Sequence, residues 1–280
     1  MKKNIIVKDN INIIECLKVE GLAKNKIKTY VKLGFIYVNN KKITKLPYDV
    51  KVGDIITIDD NPTPTNKFKI IYEDTNYLVV DKVAGLLTIS TSNTNKNIEL
   101  TLYKLVREYL NKKGEYAFIA NRIDKETSGL VIFVKNEQLK EKLQNNWNNI
   151  VKKRGYIAVV TGTISKPGRI ENYLYEDKQT FSHSTRIGGK LAITNYTPIK
   201  TNNKYTMLDL NIETGRKNQI RVHMTEMNHP IVGDKKYYSK DNSLKRLALH
   251  HYEISLIDPI TNQLLTFKSN TPKEFYDLFN

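Results

Sequence analysis

The chain has 280 residues, enough for one large domain or two smaller ones, and its 45 Lys and Arg against 29 Asp and Glu give a formal net charge of +16. This surplus favours a polyanionic partner, and nucleic acid fits better than a membrane surface because the sequence has neither a long apolar run nor a long basic amphipathic helix. The single cysteine, Cys16, excludes an internal disulfide and fits a reducing cytoplasm, and Lys8 and Asp9 interrupt the N-terminal apolar residues, so no signal peptide is expected.

The first predicted unit covers residues 1–60 and combines helices with strands. Apolar residues at helical spacing predict two short helices between residues 11 and 33. A strand over 35–38 follows, and then a turn and a strand over 52–58. The expected result is a helix–helix–strand unit.

Three lysines lie on one face of the second predicted helix. Lys24, Lys28 and Lys32 recur every fourth residue, so their charges repel one another unless an anion binds. A merely solvated lysine face is the alternative. The unit resembles an S4 RNA-binding domain, notably over residues 37–44 and 50–54. That resemblance implies that the three lysines contact RNA phosphates.

A polar stretch with two prolines follows this unit. It predicts a linker over residues 61–67 and a second domain over 68–280. An exposed loop over 90–97 and a helix over 98–110 are expected next. The motifs that suggest chemistry all lie in the second domain.

The run from Asn121 to Lys135 joins charged and small residues to an uninterrupted apolar block. This pattern predicts a buried strand that is reached through a polar loop. A carboxylate beside such a block, Asp124, needs a cation or several donors, so it either pairs with an arginine or has a raised pKa. A solvated turn is the alternative interpretation of the loop.

This loop resembles the catalytic motif of the RluA-type pseudouridine synthases, in which Arg-Leu-Asp is followed by two charged residues and Thr-Ser-Gly. Asp124 falls on the catalytic aspartate of that family. Further stretches resemble other motifs of the same family, of its RluC/RluD-like members in particular, in the expected order along the chain. They cover residues 71–87, 153–162, and 215–223 with 229–234, and they include Tyr156 and Arg221.

The chain departs from the family at four motif positions. Asn121 and Asn218 stand where the family usually has histidines, Val83 replaces its proline, and Lys217 replaces its threonine. These changes affect supporting hydrogen bonds, because the aspartate, the tyrosine and the motif arginines are retained. Asn can donate and accept as a neutral imidazole does.

The remaining elements include more strands than helices. Helices are expected over 137–146 and 219–227 and from Pro272, and strands over 156–161, 192–200, 206–212, 247–256 and 264–267. Because strands and helices do not alternate regularly, the fold class is α+β. Together with the resemblance, this predicts a large, mainly antiparallel bent sheet with flanking helices behind a small S4-like unit.

The resemblance implies isomerisation of uridine to pseudouridine, which needs no cofactor and no metal. Asp124 would act as a nucleophile or as a base, Arg221 would pair with it and keep it ionised, and Tyr156 would stack on the target base. Arg122 would hold the site vacated by a flipped base, with a structural salt bridge as the alternative. Thr127 of the same motif is a further candidate for substrate binding.

Other polar and aromatic residues are expected to have mainly structural roles. His223, His229, His250 and His251 show no metal-ligand spacing. His223 and His229 are expected to be hydrogen-bonded structural residues, with RNA contact as the alternative. Trp147 is expected to pack against the core.

The expected substrate is large-subunit (23S) ribosomal RNA, because RluA-type enzymes with an S4 domain typically act on it. Transfer RNA is the second candidate, and a non-catalytic RNA-binding or assembly factor is the third. Retention of Asp124, Tyr156 and Arg221 together argues against the third. The protein is expected to be a cytoplasmic monomer that needs neither a membrane nor a protein partner.

Overall fold

The structure is a computed structural model that describes residues 2–33, 35–59, 67–90, 100–177, 181–185, 188–237, 239–241 and 243–280. These residues form two compact units, one of residues 2–59 and one of residues 67–90 and 101–280. The predicted linker over 61–67 and the predicted loop over 90–97 lie outside the described residues, except for Lys67 and Ser90.

The described part of the first unit contains two helices and six short strands. They are β1 (Lys2–Ile6), β2 (Ile11–Asn12), α1 (Ile13–Val19), α2 (Lys24–Leu33), β3 (Ile36–Val38), β4 (Lys41–Lys42), β5 (Asp49–Val50) and β6 (Ile55–Asp59). An antiparallel sheet has the order β1–β6–β3–β4, and β2 pairs with β5. The two predicted helices are confirmed.

The two helices are held by a cap and by apolar burial. The side chain of Asn12 accepts a hydrogen bond from the backbone N–H of Ile14 at 3.0 Å, which caps the start of α1. Ile13, Leu17 and Ile27 are fully buried in one apolar cluster with the sheet. Burial of one face of each helix explains why such short helices are stable here.

The second unit is built on one large sheet. Its elements are β7 (Phe68–Glu73), β8 (Tyr77–Lys82), α3 (Leu102–Asn111), β9 (Phe118–Ile119), β10 (Ser128–Val134), α4 (Glu137–Asn145), α5 (Trp147–Ile150), β11 (Val151–Thr161), β12 (Gly168–Glu176), β13 (Ser182–Thr185), β14 (Lys190–Thr201), β15 (Tyr205–Ile212), α6 (Gln219–Glu226), β16 (Leu249–Ile257), β17 (Leu264–Lys268) and α7 (Lys273–Asp277). The strand order is β13–β12–β14–β15–β11–β16–β10–β8–β7, with β9 beside β10 and β17 beside β16. The predicted α+β class with a large, mainly antiparallel sheet is confirmed.

Strand β10 lies inside this sheet, between β16 and β8, and all seven of its residues are buried. It pairs antiparallel with β8 and parallel with β16, where Gly129 lies opposite His251. Gly129 has φ +115°, and a Cβ at this position would lie 2.2 Å from the carbonyl oxygen of His251. Only glycine therefore permits the two strands to approach here.

Apolar clusters cover the sheet of the second unit. One contains residues of β11, β15 and α6, including Val159, Leu208 and Met224, and another joins β8 and β10 to Leu139 and Leu143 of α4. Trp147 packs at the edge of the latter cluster, which confirms its expected packing role. No helix within the described residues is long and apolar enough to cross a membrane.

Several of the described strands are not predicted by the sequence, among them β12, β13 and β1. In β12, the residues are half-buried or exposed apart from Leu174, so the apolar alternation that marks a strand is weak. Strand β13 has only Ser182 buried. Strand β1 begins with two lysines, and Ile6 is 67 % exposed, so its apolar content does not indicate its pairing with β6.

Candidate active site

A cavity of about 550 Å³ lies in the second unit. It is lined by the loop that precedes β10, by β11, and by the turn that leads into α6. Asp124, Tyr156 and Arg221 all line it, together with Arg122 and Thr127. The structure therefore brings together the predicted site residues of the second unit, although they lie up to about a hundred positions apart in the sequence.

The loop that carries Asp124 is fixed through its backbone. Its main-chain oxygen accepts a hydrogen bond from the backbone N–H of Thr127 at 3.2 Å, which closes a turn. The carbonyl of the preceding residue, Ile123, accepts a hydrogen bond from the hydroxyl of Thr88 at 2.6 Å. Thr127 itself is 2 % exposed. Hydrogen bonds on both sides of Asp124 thus define where its side chain points.

Lys82 ties this loop to the segment that follows β8. Its side chain is completely buried, and its ammonium group donates hydrogen bonds to the carbonyls of Val83, Leu86 and Lys125 at 3.0, 2.8 and 3.1 Å. Burial lowers the pKa of Lys82 to about 7. The three carbonyls satisfy the three N–H donors of the ammonium form, so the residue acts as a clamp between the two segments.

Asp124 lies beside Arg221, but at ion-pair distance only. Its Oδ2 lies 3.9 Å from Nη1 of Arg221, and its side chain is 28 % exposed. Burial raises the pKa of Asp124, and the positive charges of Arg221 and three nearby lysines offset this increase only in part. The expected pairing with Arg221 is therefore present but loose, and the raised pKa of Asp124 is the second of the two states that the sequence analysis left open.

Arg221 is held instead by Asp234, a residue that the sequence analysis does not single out. Nε and Nη2 of Arg221 donate to the two carboxylate oxygens of Asp234 at 2.8 and 2.7 Å. Nη1 donates to Oδ1 of Asn218 at 3.0 Å, and the guanidinium lies 5.2 Å from the ring centre of Tyr237. This bidentate pair fixes the plane of Arg221 and leaves Nη1 facing Asp124.

Tyr156 presents an aromatic ring to the cavity. It lies opposite His251 in the β11–β16 pair, and the two rings stack with centroids 4.4 Å apart and planes 16° apart. His251 is fixed in turn by a hydrogen bond of 2.8 Å between Nδ1 and the carbonyl of Leu130. Burial raises the pKa of Tyr156, so its hydroxyl remains protonated. The stacked pair forms a rigid flat wall of the cavity.

The two asparagines that replace family histidines have defined structural roles. Asn121 accepts a hydrogen bond from the backbone N–H of Ile132 at 2.7 Å and donates to the carbonyl of Leu130 at 3.4 Å, which joins the loop to β10. Asn218 has φ +55°, a left-handed conformation that asparagine tolerates well. Its Oδ1 also supports Arg221. Asn121 therefore both donates and accepts, whereas Asn218 accepts through Oδ1 and its buried Nδ2 has no hydrogen-bond partner among the described residues.

The cavity wall is strongly basic. Arg122, Arg154, Arg216 and Lys217 line it in addition to Arg221, and Asp124 is the acidic residue of the lining. Arg122 is exposed, as suits contact with RNA. Arg154 and Arg216 were missed by the sequence analysis, although each lies within a stretch that resembles a family motif. Such an excess of positive charge favours a polyanion in the cavity.

The other predicted polar residues lie away from this cavity. Lys24 and Lys28 are exposed on α2 of the first unit, and Lys32 lies on the same helix with a side chain outside the described part. His223 bonds Thr194 and Asn172, and His229 bonds the carbonyl of Thr161, which confirms their hydrogen-bonded character. In the portion of the chain that the structure describes, no cluster of His, Cys, Asp or Glu has the form of a metal site.

Comparison with known proteins identifies relatives that match much of the chain. The family model described as RNA pseudouridylate synthase matches residues 76–226. Ribosomal large subunit pseudouridine synthase D of Borreliella burgdorferi is 37 % identical and aligns over 74 % of this chain and 66 % of its own length. The protein of the same name from Pasteurella multocida is 28 % identical over 91 % of this chain and 86 % of its own. An uncharacterized RNA pseudouridine synthase of Helicobacter pylori is 30 % identical, over 91 % and 95 %.

Solved structures show the same fold. Human RNA Pseudouridylate Synthase Domain Containing 1 matches with a TM-score of 0.62 at 20 % identity, over 75 % of this chain and 86 % of that one. Human RNA Pseudouridylate Synthase Domain Containing 4 matches with a TM-score of 0.60 at 20 % identity, over 74 % and 90 %. At this identity the agreement concerns the fold alone.

Proposed function

Because the chain belongs to the RNA pseudouridylate synthase family and is an isomerase that acts on RNA, we propose that it modifies uridines of large-subunit ribosomal RNA. We also propose that Asp124, Tyr156 and Arg221 form its catalytic group. The observation that carries this proposal is their convergence on one basic cavity. The names of the Borreliella and Pasteurella relatives support the choice of ribosomal RNA.

The reaction breaks the bond between C1′ of the ribose and N1 of the uracil, turns the base, and joins C5 to C1′. The proton on C5 is then lost and N1 gains one, so atoms and electrons balance without any oxidant or hydrolysis. Asp124 would attack the sugar or the base as a carboxylate, or remove a sugar proton as a base. Nη1 of Arg221, at 3.9 Å, would stabilise the charged carboxylate.

The target uridine must leave its stack to reach Asp124. The flat wall of Tyr156 and His251 supports a role in which the flipped uracil stacks on Tyr156. The hydroxyl of Tyr156 would assist removal of the C5 proton. Arg122, exposed at the cavity, would hold the vacated position in the RNA by stacking or by phosphate contact, and Thr127 would contact the substrate beside Asp124.

The first unit would act as an S4-like RNA-binding module with Lys24, Lys28 and Lys32 on phosphates. The exposure of Lys24 and Lys28 on one helix supports this role. A second basic module raises the effective concentration of the enzyme on an RNA large enough to engage both. This favours ribosomal RNA over transfer RNA. The cytoplasm and a monomeric state remain part of the proposal.

Pseudouridine mapping tests the substrate. Ribosomal and transfer RNA would be compared from cells with and without the gene, and after complementation with the parent or with Asp124→Asn. We expect sites in large-subunit ribosomal RNA that disappear without the gene and return with the parent alone. Sites confined to transfer RNA would overturn the substrate. Full restoration by Asp124→Asn would remove Asp124 from catalysis.

A further inference from the structure

Arg154 and Arg216 of the cavity wall are neighbours without an acidic partner among the described residues. Arg154 and Arg216 both line the cavity, and neither forms an ion pair with a carboxylate of the described residues. The carboxylate of Glu213, whose carbonyl accepts a hydrogen bond from Arg154, instead binds Asn195 at 2.9 Å and pairs with Arg169 at 3.5 Å. Two arginine charges are therefore left uncompensated at the cavity.

Two nearby basic side chains of the cavity lining, Lys217 before α6 and Arg221 within it, are neutralised. Arg221 is bound by both oxygens of Asp234, and Lys217 forms an ion pair with Glu176. These two cations have carboxylate partners, whereas Arg154 and Arg216 have none among the described residues. A protein that leaves two such charges together gains stability when an anion binds between them.

The two guanidinium groups are close enough to influence each other. Burial lowers the pKa of Arg154, and the positive charge of Arg216 lowers it further. Nη1 of Arg154 lies so near Gly215 that a Cβ there would be 3.2 Å from it, and Arg216 is the next residue. The absence of a side chain at Gly215 therefore makes room for Arg154 beside Arg216.

Each guanidinium is oriented by one backbone carbonyl. Nη2 of Arg154 donates to the carbonyl of Glu213, and Nε of Arg216 donates to the carbonyl of Leu191 at 2.8 Å. The turn itself is locked by Gln219, whose Oε1 accepts a hydrogen bond from the backbone N–H of Arg216 at 3.0 Å. Because each guanidinium uses one N–H group for this hydrogen bond, both retain further N–H donors for a ligand. The hydrogen bonds to the backbone carbonyls already orient these donors.

We propose that Arg154 and Arg216 together bind one phosphate group of the RNA backbone, next to the nucleotide whose base enters the cavity. A phosphate offers several acceptor oxygens, which suits two planar donor groups better than a single base edge does. Arg154 is two residues from Tyr156 on β11, so the bound phosphate lies beside the base-stacking wall. This inference rests on the proposed action on RNA and adds a subsite that positions the strand.

The test measures binding of a fluorescein-labelled oligouridylate, about ten nucleotides long, by the full chain at several salt concentrations. The variants are Arg154→Gln, Arg216→Gln, their combination, and Arg154→Lys. Arg107→Gln is the matched control, because Arg107 is an exposed arginine of α3 outside the cavity lining and its loss changes the net charge equally. Thermal melting would confirm that each variant folds.

Each single glutamine variant should weaken binding about 10-fold, as expected for loss of a charge-assisted hydrogen bond. Because both arginines hold the same phosphate, the double variant should lose less than the product of the two single losses. For the double variant, the slope of log affinity against log salt concentration should be smaller in magnitude than that of the parent by about 0.7, which is the contribution of one phosphate contact to single-stranded nucleic acid. Arg154→Lys should keep the parent's slope, since the charge remains, and Arg107→Gln should match the parent.

Multiplicative losses in the double variant would show two independent contacts and overturn the shared site. An unchanged salt slope in the double variant, or an equal loss of binding affinity in Arg107→Gln, would also overturn the shared site. The assay involves no turnover, so it is separable from the proposed function. If the parent forms pseudouridine in ribosomal RNA but these losses are absent, the phosphate site alone is wrong. If the losses are present but ribosomal RNA is not modified, the substrate assignment alone is wrong.

Discussion

Asp234 is expected to set the acidity of Asp124 without touching it. Its carboxylate accepts two hydrogen bonds from Arg221, and its Oδ1 also accepts the backbone N–H groups of Lys236 and Tyr237 at 3.0 and 3.1 Å. Asp124 receives only the remaining Nη1 of that guanidinium, at 3.9 Å. Asp234 thus competes with Asp124 for the same cation. Replacing it should release Arg221 toward Asp124.

The change Asp234→Asn keeps the shape and removes the charge. Loss of one partner from a buried hydrogen-bonded ion pair costs about 3–5 kcal/mol, which for a chain of this size lowers Tm by roughly 10 °C. With Arg221 closer, the charged form of Asp124 is favoured, so the pKa of Asp124 falls. Because Asp124 is proposed to act as a carboxylate, the acidic limb of the pH–rate profile should move to lower pH.

The assay is single-turnover pseudouridine formation across pH, with Asp258→Asn as control. Asp258 is also buried, at 3 % exposure, and accepts a hydrogen bond from the Tyr77 hydroxyl at 2.7 Å, away from the cavity. That variant should lose stability and keep the parent's pH dependence. An acidic limb in Asp234→Asn that stays in place or moves to higher pH would refute the competition between the two carboxylates.

Three further outcomes follow from the same geometry. Arg221→Ala should shift the acidic limb of the pH–rate profile to higher pH, because it removes the largest contribution that lowers the pKa of Asp124. This shift is opposite to that of Asp234→Asn. An unshifted pH–rate profile would contradict the pairing of Arg221 with Asp124. Tyr156→Phe should bind RNA like the parent, because the stacking ring remains. Since the hydroxyl is proposed to assist proton removal, this variant should form product at least 10-fold more slowly in single-turnover assays. A rate equal to that of the parent would limit Tyr156 to packing. In the parent, the free energy of unfolding should rise by about 3–4 kcal/mol from pH 7 to pH 10, because unfolded Lys82 binds a proton that the folded form, with a pKa of about 7, releases; Lys82→Met should remove this rise in chemical denaturation.

The sequence predicts much of the second unit because its central strands contain apolar runs. Strand β10 shows this best, since every residue from Ser128 to Val134 is buried. Strands near the end of the sheet, such as β12, face solvent on much of their surface, so their residues do not need to be apolar. Their existence depends on pairing with β14, which is not visible in a local pattern.

The same limit applies to the site. Asp124, Tyr156 and Arg221 are predicted because the motif resemblance marks them, and the structure brings all three to one cavity. The partner of Arg221 could not be chosen from the sequence, because Asp124 and Asp234 are both carboxylates and only their distances distinguish them. The raised pKa of Asp124 likewise depends on burial, which the sequence does not quantify.

The parallel contact at Gly129 also determines when the cavity can exist during synthesis of the chain. Ser128 bonds His250 across 122 positions, and Tyr156 rests on His251, the next residue. The wall behind Asp124 is therefore incomplete until β16 has left the ribosome and paired with β10 and β11. A nascent chain that ends before residue 249 holds Asp124 and Tyr156 without the strand that joins them, so catalytic competence arises in a late, cooperative folding step.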